Sequence, residues 1–376
     1  KVCGKLNEVE QGQEIHIAIT RQGYEKDLFV GSTLVDMYAK CGSIFQAQTV
    51  FDKLMGRNVV SWNALISGYA QLGLGKEVVN SIQLMKLEMI SPNVVTFTSA
   101  LKAYCGSKVA LTDVSELHNE ILQKGFDRDL YVGSTLVDVY SKSGLSIEAK
   151  KVFHTLLVRD IVSWMGLIAG YAEHGPLEGA LTCFSQMQSD GICPDAAIFS
   201  CVLKACGSLP HLERGRELHS EIIVKAFEMD PFVSSTLIDM YTKCRSLSEA
   251  TWIFEKSSDQ NVVSCNALLM GYTEQGYNED ALNYFRKMQQ ILMPNTISFS
   301  LVLKALGIIQ ALNEGWEIHT DIVCKGFEDD HFVGNSLVDL YAKCGSMFES
   351  QHVFTRLCSH TVVSWTALIS GYVEHG

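Results

Sequence analysis

The sequence predicts an all-α protein, built as a right-handed α-solenoid superhelix of stacked antiparallel helix pairs. The main observation is a repeat, because the segment NVVSWNALISGY at 58–69 returns in related form at 160–171, 261–272 and 361–372. Its shared serine recurs at steps of 102, 101 and 100 residues, at Ser61, Ser163, Ser264 and Ser364. Apolar residues within each copy recur at helical spacing, and no strand-like alternation is sustained. A period this regular is typical of a stacked array of repeats.

The composition fits a folded array and counts against several other classes. Of the 376 residues 47% are apolar, and six prolines with no low-complexity tract argue against disorder. No apolar run approaches the ~18–20 residues that a membrane span requires, so no membrane partner is expected. No signal or transit peptide is visible, and because both ends fall inside repeats we expect the native ends to be missing. The net charge of −12 counts against a general nucleic-acid binder.

The twelve cysteines show neither metal-site nor disulfide spacing. No C-x-x-C occurs, and one repeat position holds Cys41, Cys244 and Cys344 but Ser143 in the remaining copy. Serine replaces a small buried thiol but cannot form a disulfide, so we interpret the cysteines as core residues in a reducing compartment. The sequence therefore predicts no metal site and no cofactor.

Each block of about one hundred residues divides into three shorter motifs, and each motif is predicted to form two helices. In the motif that begins at residue 59, one face of the first helix carries Val59, Trp62, Leu65, Ile66 and Tyr69. One face of the second helix carries Val78, Val79, Ile82 and Met85. Prolines are expected to stop this second helix, at Pro92, Pro194 and Pro294. A helix pair of ~35 residues cannot bury its apolar faces alone, so neighbouring pairs must stack.

The motif ends follow a cycle of lengths. The intervals are 31, 35 and 36 residues and then similar sets, with ends at Asp27, Asn58, Asn93, Asp129, Asp160, Asp195, Asp230, Asn261, Asn295, Asp330 and Thr361.

The segments VVSWNALISGYAQ at 59–71, VGSTLVDMYAKCG at 30–42 and G-x-E-I-H at 12–16 and 315–319 resemble the P, S and L motifs of plant pentatricopeptide repeat proteins of the PLS subclass. The W-x2-L-G-x2-Y pattern of tetratricopeptide repeats is missing.

The resemblance covers essentially the whole chain and implies one continuous array. The implied motifs are a partial L motif (1–27), S 28–58, P 59–93, L 94–129, S 130–160, P 161–195, L 196–230, S 231–261, P 262–295, L 296–330, S 331–361 and a partial P motif (362–376).

In this family two side chains per motif read one base of single-stranded RNA: position five and the motif's last residue. On a helical wheel, position five lies about 100° from Trp62, at the rim of the apolar stripe. The resemblance assigns adenine to Ser32 with Asn58 and to Ser235 with Asn261, cytosine to Asn63 with Asn93 and to Asn266 with Asn295, guanine to Ser134 with Asp160, and a pyrimidine to Asn335 with Thr361.

Other pairs are expected to read weakly. Met165 with Asp195 offers no donor at position five, so this motif is expected to read its base weakly or not at all. The L-motif pairs resemble guanine codes, which L motifs follow poorly: Thr98 with Asp129, Ser200 with Asp230, and Ser300 with Asp330. Thr366 is position five of the last, partial motif. The implied target, 5′ to 3′, is A-C-(G)-G-n-(G)-A-C-(G)-Y, with L positions in parentheses.

Three further features bear on binding. The residues Val59, Val94, Ile161 and Val262 open their motifs and, each with the residue after it, are expected to sandwich a base. A row of lysines, Lys40, Lys142, Lys243 and Lys343, is either a weak phosphate track or a solvated surface. The alternative hypothesis for the Asn and Ser residues is ordinary helix N-capping.

Residues that look catalytic are interpreted as structural. His16, His118, His219 and His319 recur once per block, which is too far apart for a shared metal or catalytic site. Trp62, Trp164 and Trp365, with Cys265 in the remaining copy, are expected in the core. The deaminase-like domain of some family members needs H-x-E together with C-x-x-C, and this combination does not occur. No enzymatic activity is predicted.

The resemblance implies sequence-specific single-stranded RNA binding, at about one base per repeat, by a site-recognition adaptor in organellar RNA processing, above all C-to-U editing. The implied location is a plastid or a mitochondrion, and the implied partners are single-stranded RNA and editing-complex proteins or a deaminase supplied outside this chain. The alternative hypothesis is an α-solenoid protein–protein scaffold that binds a peptide or partner protein, which the acidic charge favours.

Overall fold

The computed structural model describes residues 4, 8–105, 111–257 and 260–375, with the backbone alone at 111–113. Every regular element within these ranges is a helix, which confirms the predicted all-α fold class. Parts of the predicted motifs at 1–27, 94–129 and 231–261, and residue 376, lie outside the described residues. The chain forms two compact units, Lys1–Cys193 and Pro194–Gly376.

The first unit consists of helices that alternate along the chain between first and second members of a pair. Its elements are α1 (Val9–Arg21), a 3-10 turn (Tyr24–Lys26), α2 (Leu28–Lys40), α3 (Ile44–Asp52), α4 (Val59–Gln71), α5 (Gly75–Leu87), α6 (Val94–Cys105), α7 (Leu111–Gln123), α8 (Leu130–Lys142), α9 (Ser146–Thr155), α10 (Ile161–His174) and α11 (Leu177–Ser189).

The second unit continues the same alternation. Its helices are α12 (Ala196–Ser208), α13 (Leu212–Val224), α14 (Pro231–Lys243), α15 (Leu247–Lys256), α16 (Val262–Glu274), α17 (Asn278–Ile291), α18 (Thr296–Ile309), α19 (Leu312–Cys324), α20 (His331–Lys343), α21 (Met347–Arg356) and α22 (Val362–His375).

Within each unit the first helices of consecutive motifs form one continuous layer. In the first unit α2, α4, α6, α8 and α10 pack in sequence, and in the second unit α12, α14, α16, α18, α20 and α22 do the same. The second helices α3, α5 and α9 in the first unit, and α13, α15, α17, α19 and α21 in the second, each pack against their own first helix and the next one. Because a short turn joins the two packed members of a pair, they run antiparallel. A first helix inside either layer, such as α4 or α18, therefore lies between two neighbouring first helices, and one of its edges is left to carry polar residues.

A glycine in the P-motif first helices permits close helix packing. A Cβ at Gly68 would lie 2.7 Å from the Cβ of Ala39, and one at Gly271 would lie 2.2 Å from the Cγ2 of Thr242. Gly170 and Gly371 make the same approach in their own copies. Real Cβ atoms do not approach each other this closely, so the S-motif and P-motif helices can touch here only when the residue is glycine.

The aromatic core differs between copies. Trp62 is 2% exposed and meets Phe51 edge to face at 4.6 Å between ring centroids, and Trp164 meets Phe153 at 4.5 Å. In the third copy Tyr284, from the second helix, contacts Phe254 instead, and Cys265 fills the tryptophan position. The expectation for Trp365 is wrong: it meets Phe354 on one face but is 50% exposed, because it lies on α22, the last described helix.

Left-handed residues, rather than the prolines, end two of the second helices. Helix α5 stops at Leu87 and Met89 follows with φ 59°, and α11 stops at Ser189 and Gly191 follows with φ 76°. The expected stops at Pro92 and Pro194 therefore lie beyond the actual helix ends. The prolines set the extended approach to the next first helix.

Two other turns hold a side chain where the other copies have glycine. Ala226 has φ 60° at the position of Gly125 and Gly326, and Arg245 has φ 60° at the position of Gly144 and Gly345. The left-handed region costs an L-residue roughly 1–2 kcal/mol, and glycine avoids this penalty. These two positions are therefore strained relative to their counterparts.

We predict that Ala226→Gly stabilises the protein by about 1 kcal/mol, since relief of the left-handed penalty outweighs the added entropy of the unfolded chain. The reciprocal change Gly326→Ala, at the same turn one block later, is the control and should destabilise by a similar amount. Urea unfolding measures both, and equal signs for the two variants would contradict the prediction.

Candidate nucleic-acid interface

The last residue of each motif caps the first helix of the next one. Its side-chain oxygen accepts backbone N–H groups of the first turn, as at Asp27, Asn58, Asp129, Asp160, Asp195, Asp230, Asn261, Asn295 and Asp330. Asn93 accepts from the N–H of Thr96 at 3.1 Å, and Thr361 accepts from Ser364 at 3.3 Å. The N-capping alternative is therefore correct for the motif ends. It does not apply to position five, which lies inside the helix.

Most hydroxyl residues at position five bond to their own helix. Each donates to the carbonyl four residues earlier, as Ser32, Thr98, Ser134, Ser200 and Thr366 do at 2.6–3.0 Å. Ser235 accepts a long hydrogen bond of 3.4 Å from the Nδ2 of Asn261, and the buried Oγ of Ser300 has no partner. The first five of these hydroxyls therefore offer the groove an oxygen lone pair while their protons point back to the helix.

Asparagine at position five behaves differently, because it bonds across to the motif end. Asn63 donates from Nδ2 to the Oδ1 of Asn93 at 3.0 Å. Asn266 donates to the Oδ1 of Asn295 at 3.1 Å, and Asn335 donates to the Oγ1 of Thr361 at 3.2 Å. These predicted pairs are in direct contact.

Other predicted pairs are not joined by a hydrogen bond between their described side chains. This holds for Ser32 with Asn58, Ser134 with Asp160, Thr98 with Asp129, Ser200 with Asp230, and Ser300 with Asp330. Met165 belongs to the first unit and Asp195, which caps α12, to the second. The L-motif pairs thus lack the direct link that the asparagine pairs have.

A row of exposed apolar side chains flanks position five. These are the second residues of the motifs, 51–79% exposed: Phe29, Val60, Val95, Tyr131 and Val162 in the first unit, and Phe232, Val263, Ile297, Phe332 and Val363 in the second. The four residues expected to open the base sandwich, Val59, Val94, Ile161 and Val262, are half-buried. The exposed flank is therefore the residue after each of them. The second residue lies three positions before position five, so the two side chains share one helix face at the open edge.

Grooves connect the row with the polar positions. In the first unit a cavity of about 440 Å³ is lined by Phe29, Ser32, Val60, Asn63, Asn93 and Val95. In the second unit one of about 890 Å³ is lined by residues that include Phe332, Asn335, Thr361, Val363 and Thr366. Each groove therefore presents apolar walls with a polar floor, which suits a flat polar ring such as a nucleobase.

The predicted lysine row is neutralised by acidic neighbours. Each lysine bonds to the aspartate one turn earlier at 2.6–2.8 Å, in the pairs Lys40–Asp36, Lys142–Asp138, Lys243–Asp239 and Lys343–Asp339. Of the two interpretations of this row, the pairing favours the solvated surface over the phosphate track, because each positive charge is already compensated.

A second lysine set was missed by the sequence analysis. Lys102, Lys204 and Lys304 are exposed and form no ion pair with a carboxylate in the described parts of the chain. Each lies four residues after an L-motif position five and hence on the same helix face, and Lys304 lines the larger groove with Ser300. The signal was available in the sequence, because these lysines recur at steps of 102 and 100 residues with no aspartate four residues away.

The four repeated histidines bond to tyrosines of the next motif. The Nδ1 atoms of His16, His118, His219 and His319 lie 2.7–2.9 Å from the hydroxyls of Tyr38, Tyr140, Tyr241 and Tyr341. Burial lowers the pKa of His118, His219 and His319 below the ordinary value of histidine, which favours the neutral ring. An H-x-E spacing does occur at His118 and at His219, but these imidazoles tie one helix to the next.

No disulfide joins the cysteines that the structure describes. Within the same ranges, no three His, Cys, Asp or Glu residues lie together in a way that could hold a metal ion. None of the helices in the described chain has the length and apolar character needed to cross a bilayer.

Stacked helix pairs, with the last residue of one motif capping the first helix of the next, define an α-helical repeat protein. Family models match most of its length: the PPR repeat family at 57–106 and 159–208, the pentatricopeptide repeat domain at 255–308, and the PPR repeat at 32–59, 134–161, 232–262 and 363–376. The chain belongs to the pentatricopeptide repeat family.

Two curated relatives from Arabidopsis thaliana align with the whole chain. They are the chloroplastic pentatricopeptide repeat-containing proteins At1g11290 and At1g15510, each 33% identical over 378 residues. The alignment covers 100% of this chain but only 46% and 43% of these relatives. The chain thus spans about half the length of the curated relatives it matches.

Solved structures show the same fold. The crystal structure of the pentatricopeptide repeat protein PPR10 from maize matches with a TM-score of 0.76 and 18% identity, over 99% of this chain and 55% of that one. PPR10 in complex with an 18-nt psaJ RNA element matches with a TM-score of 0.77 and 19% identity, over 93% of this chain and 53% of that one. At this identity the likeness concerns the fold.

Proposed function

We propose that this chain binds single-stranded RNA in a sequence-specific manner, at about one base per motif. The observation that carries the proposal is the repeated pairing of an exposed apolar second residue with a polar position five, as in Val60 with Asn63. Apolar walls can hold the faces of a base while the polar side chain bonds to its edge. The similarity to PPR10, whose structure is known with an RNA element, supports the same assignment.

We further propose that the motifs follow the P, L and S order of the PLS subclass, with the boundaries that the sequence predicts. The biological role is then that of a site-recognition adaptor for organellar RNA processing, above all C-to-U editing, with the chemistry supplied by a deaminase or editing-complex proteins outside this chain. The relatives whose names include "chloroplastic" favour a plastid over a mitochondrion. No catalytic role is proposed for any residue of this chain.

A peptide-binding scaffold is the competing function, and the net charge of −12 favours it. The ion-paired lysine row adds to this argument, because it leaves few basic groups for phosphate. The asparagine pairs favour RNA, since an amide held at the floor of a groove can bond to a base edge. Affinity measurements with matched and scrambled RNAs separate the two functions.

We predict that the chain binds a labelled RNA of the sequence A-C-G-G-N-G-A-C-G-Y at least about tenfold more tightly than a scrambled RNA of the same composition. The reason is that base contacts, not phosphate contacts, dominate on an acidic protein. Fluorescence anisotropy at near-physiological salt measures both affinities. Equal or absent binding to the two RNAs would favour the scaffold function.

The double variant Asn63→Ser with Asn93→Asp should move the preference at the second base from cytosine toward guanine, because it recreates the Ser134 and Asp160 combination. The control is the eighth base, where the unchanged Asn266 and Asn295 should keep preferring cytosine. Affinities for RNAs with each base at these two positions test the shift. A collapse of thermal stability without a shift would show that the pair is structural.

Lys304→Ala should weaken binding to all RNAs alike and lower the slope of log affinity against log salt by about 0.7, the value for one phosphate contact on a single strand. The control removes a compensated pair from the same groove, with Asp339→Asn and Lys343→Ala together. This control should leave the slope unchanged. Similar slopes for Lys304→Ala and the unmodified chain would argue against a phosphate contact at Lys304.

A further inference from the structure

A third side chain completes each cytosine-type pair. The hydroxyl of Thr96 donates to the Oδ1 of Asn63 at 2.6 Å, while the Nδ2 of Asn63 donates to the Oδ1 of Asn93. In the second unit the hydroxyl of Ser298 donates to the Oδ1 of Asn266 at 2.7 Å, and Asn266 donates to Asn295. The same three-residue cluster therefore forms independently in two P motifs.

Backbone N–H groups fix the direction of the hydrogen bonds in this cluster. The N–H of Thr96 donates to the Oδ1 of Asn93, so this oxygen must be an acceptor. The N–H of Asn93 donates to the hydroxyl of Thr96 at 3.1 Å, which leaves the hydroxyl proton to be donated onward. The Oδ1 of Asn63 is its nearest acceptor, at 2.6 Å against 3.1 Å for the Oδ1 of Asn93. Because a backbone N–H can only donate, the amide of Asn63 has one favoured orientation.

This orientation decides what the amide can offer a base. One lone pair of its oxygen accepts from the hydroxyl of the following motif, and one Nδ2 hydrogen is directed to Asn93. The remaining Nδ2 hydrogen can serve only as a donor. Cytosine carries an acceptor at N3, whereas uracil carries an N–H there, so an amide that presents this hydrogen matches cytosine and repels uracil at this atom. If the amide were turned over, its oxygen would face the Oδ1 of Asn93, and two acceptors would meet.

Asn335 shows what happens when the third side chain does not bond to the amide. Its Nδ2 donates to Thr361, but its buried Oδ1 has no hydrogen-bond partner. The corresponding hydroxyl, on Ser364, donates instead to the backbone carbonyl of Thr361 at 2.9 Å. The amide of Asn335 is therefore held by one bond only. The remaining P motif lacks both partners of this hydrogen bond, since it has Met165 at position five and Ile198 in place of the hydroxyl residue.

We propose that Thr96 and Ser298 are positioning residues that hold Asn63 and Asn266 as donors and thereby set the preference for cytosine over uracil. The inference rests on the proposed RNA-binding function and adds a specificity determinant that lies in the following motif. Each of these hydroxyls acts through the asparagine and does not need to touch the base.

The test compares Thr96→Val, which removes the hydroxyl at nearly constant volume, with Thr96→Ser, which restores the group found at Ser298. Affinities are measured for RNAs that carry cytosine or uracil at the second base. Ser61→Ala is the matched control, because the hydroxyl of Ser61 closes a capping box on Asn58 but bonds to no position-five residue. Its loss should cost similar stability without changing the base preference.

We expect Thr96→Val to reduce the cytosine-to-uracil preference at the second base by about tenfold, the factor associated with one buried hydrogen bond, while Thr96→Ser keeps it. The preference at the eighth base should stay unchanged in both. Ser298→Ala should show the reverse pattern, and it tests the inference in the other unit if Thr96→Val unfolds the first.

An unchanged preference in both Thr96→Val and Ser298→Ala would overturn the inference while leaving RNA binding intact. A chain that binds the matched RNA but does not separate cytosine from uracil would overturn it as well. Failure of the unmodified chain to prefer the matched RNA over the scrambled one would overturn the proposed function itself, which is a different observation.

Discussion

The architecture depends on one repeated interaction, the side-chain cap at the end of each motif. A residue there must supply an oxygen to the first N–H groups of the next helix, which selects Asp, Asn or Thr. The cap also brings this side chain beside position five of the motif just completed, as Asn93 lies 3.0 Å from Asn63. Helix initiation and the polar floor of the groove are therefore made by the same atoms. Asp brings only acceptor oxygens to this position, whereas Asn also brings amide hydrogens that can donate.

The aromatic residues of the core vary between copies, while position five and the motif end keep their hydrogen bonds to each other. In the first two copies Trp62 and Trp164 fill the space beside a phenylalanine, with Ser81 and Cys183 on the second helix. In the third copy the large and the small residue exchange helices. The small residue, Cys265, lies on the first helix, and the aromatic ring comes from Tyr284 on the second helix. Because the total volume is roughly conserved, the helices can keep their positions. Asn266 thus makes the same hydrogen bonds as Asn63, although the residue before it has changed from tryptophan to cysteine.

Periodicity predicted the helices well, because burial of an apolar stripe repeats with the chain. It could not place details that depend on side-chain geometry. The exposed apolar side chain beside position five is that of Val60 and not that of Val59, which precedes it by one residue and is half-buried. The role of Thr96 depends on where its hydroxyl proton points, which spacing does not reveal. Trp365 has the sequence of a core residue, but its burial depends on neighbours that the motif pattern alone does not supply. In contrast, the ion pair of Lys40 with Asp36 could have been predicted from the sequence, because the two residues are four positions apart on one helix.

The acidic charge and an RNA-binding role are compatible when the charges are followed individually. The aspartates at motif ends accept backbone N–H groups at helix N-termini, where the helix dipole offsets a negative charge. The S-motif aspartates are paired with lysines one turn away. In the part of the chain that the structure describes, Lys102, Lys204 and Lys304 supply one lysine per block without a carboxylate partner, and Lys304 lines a groove. Such a surface attracts a polyanion weakly and at wide intervals, so tight binding has to come from the bases. A protein of this kind gains selectivity from its scarcity of unpaired positive charge, because an RNA without the matching bases then makes few favourable contacts.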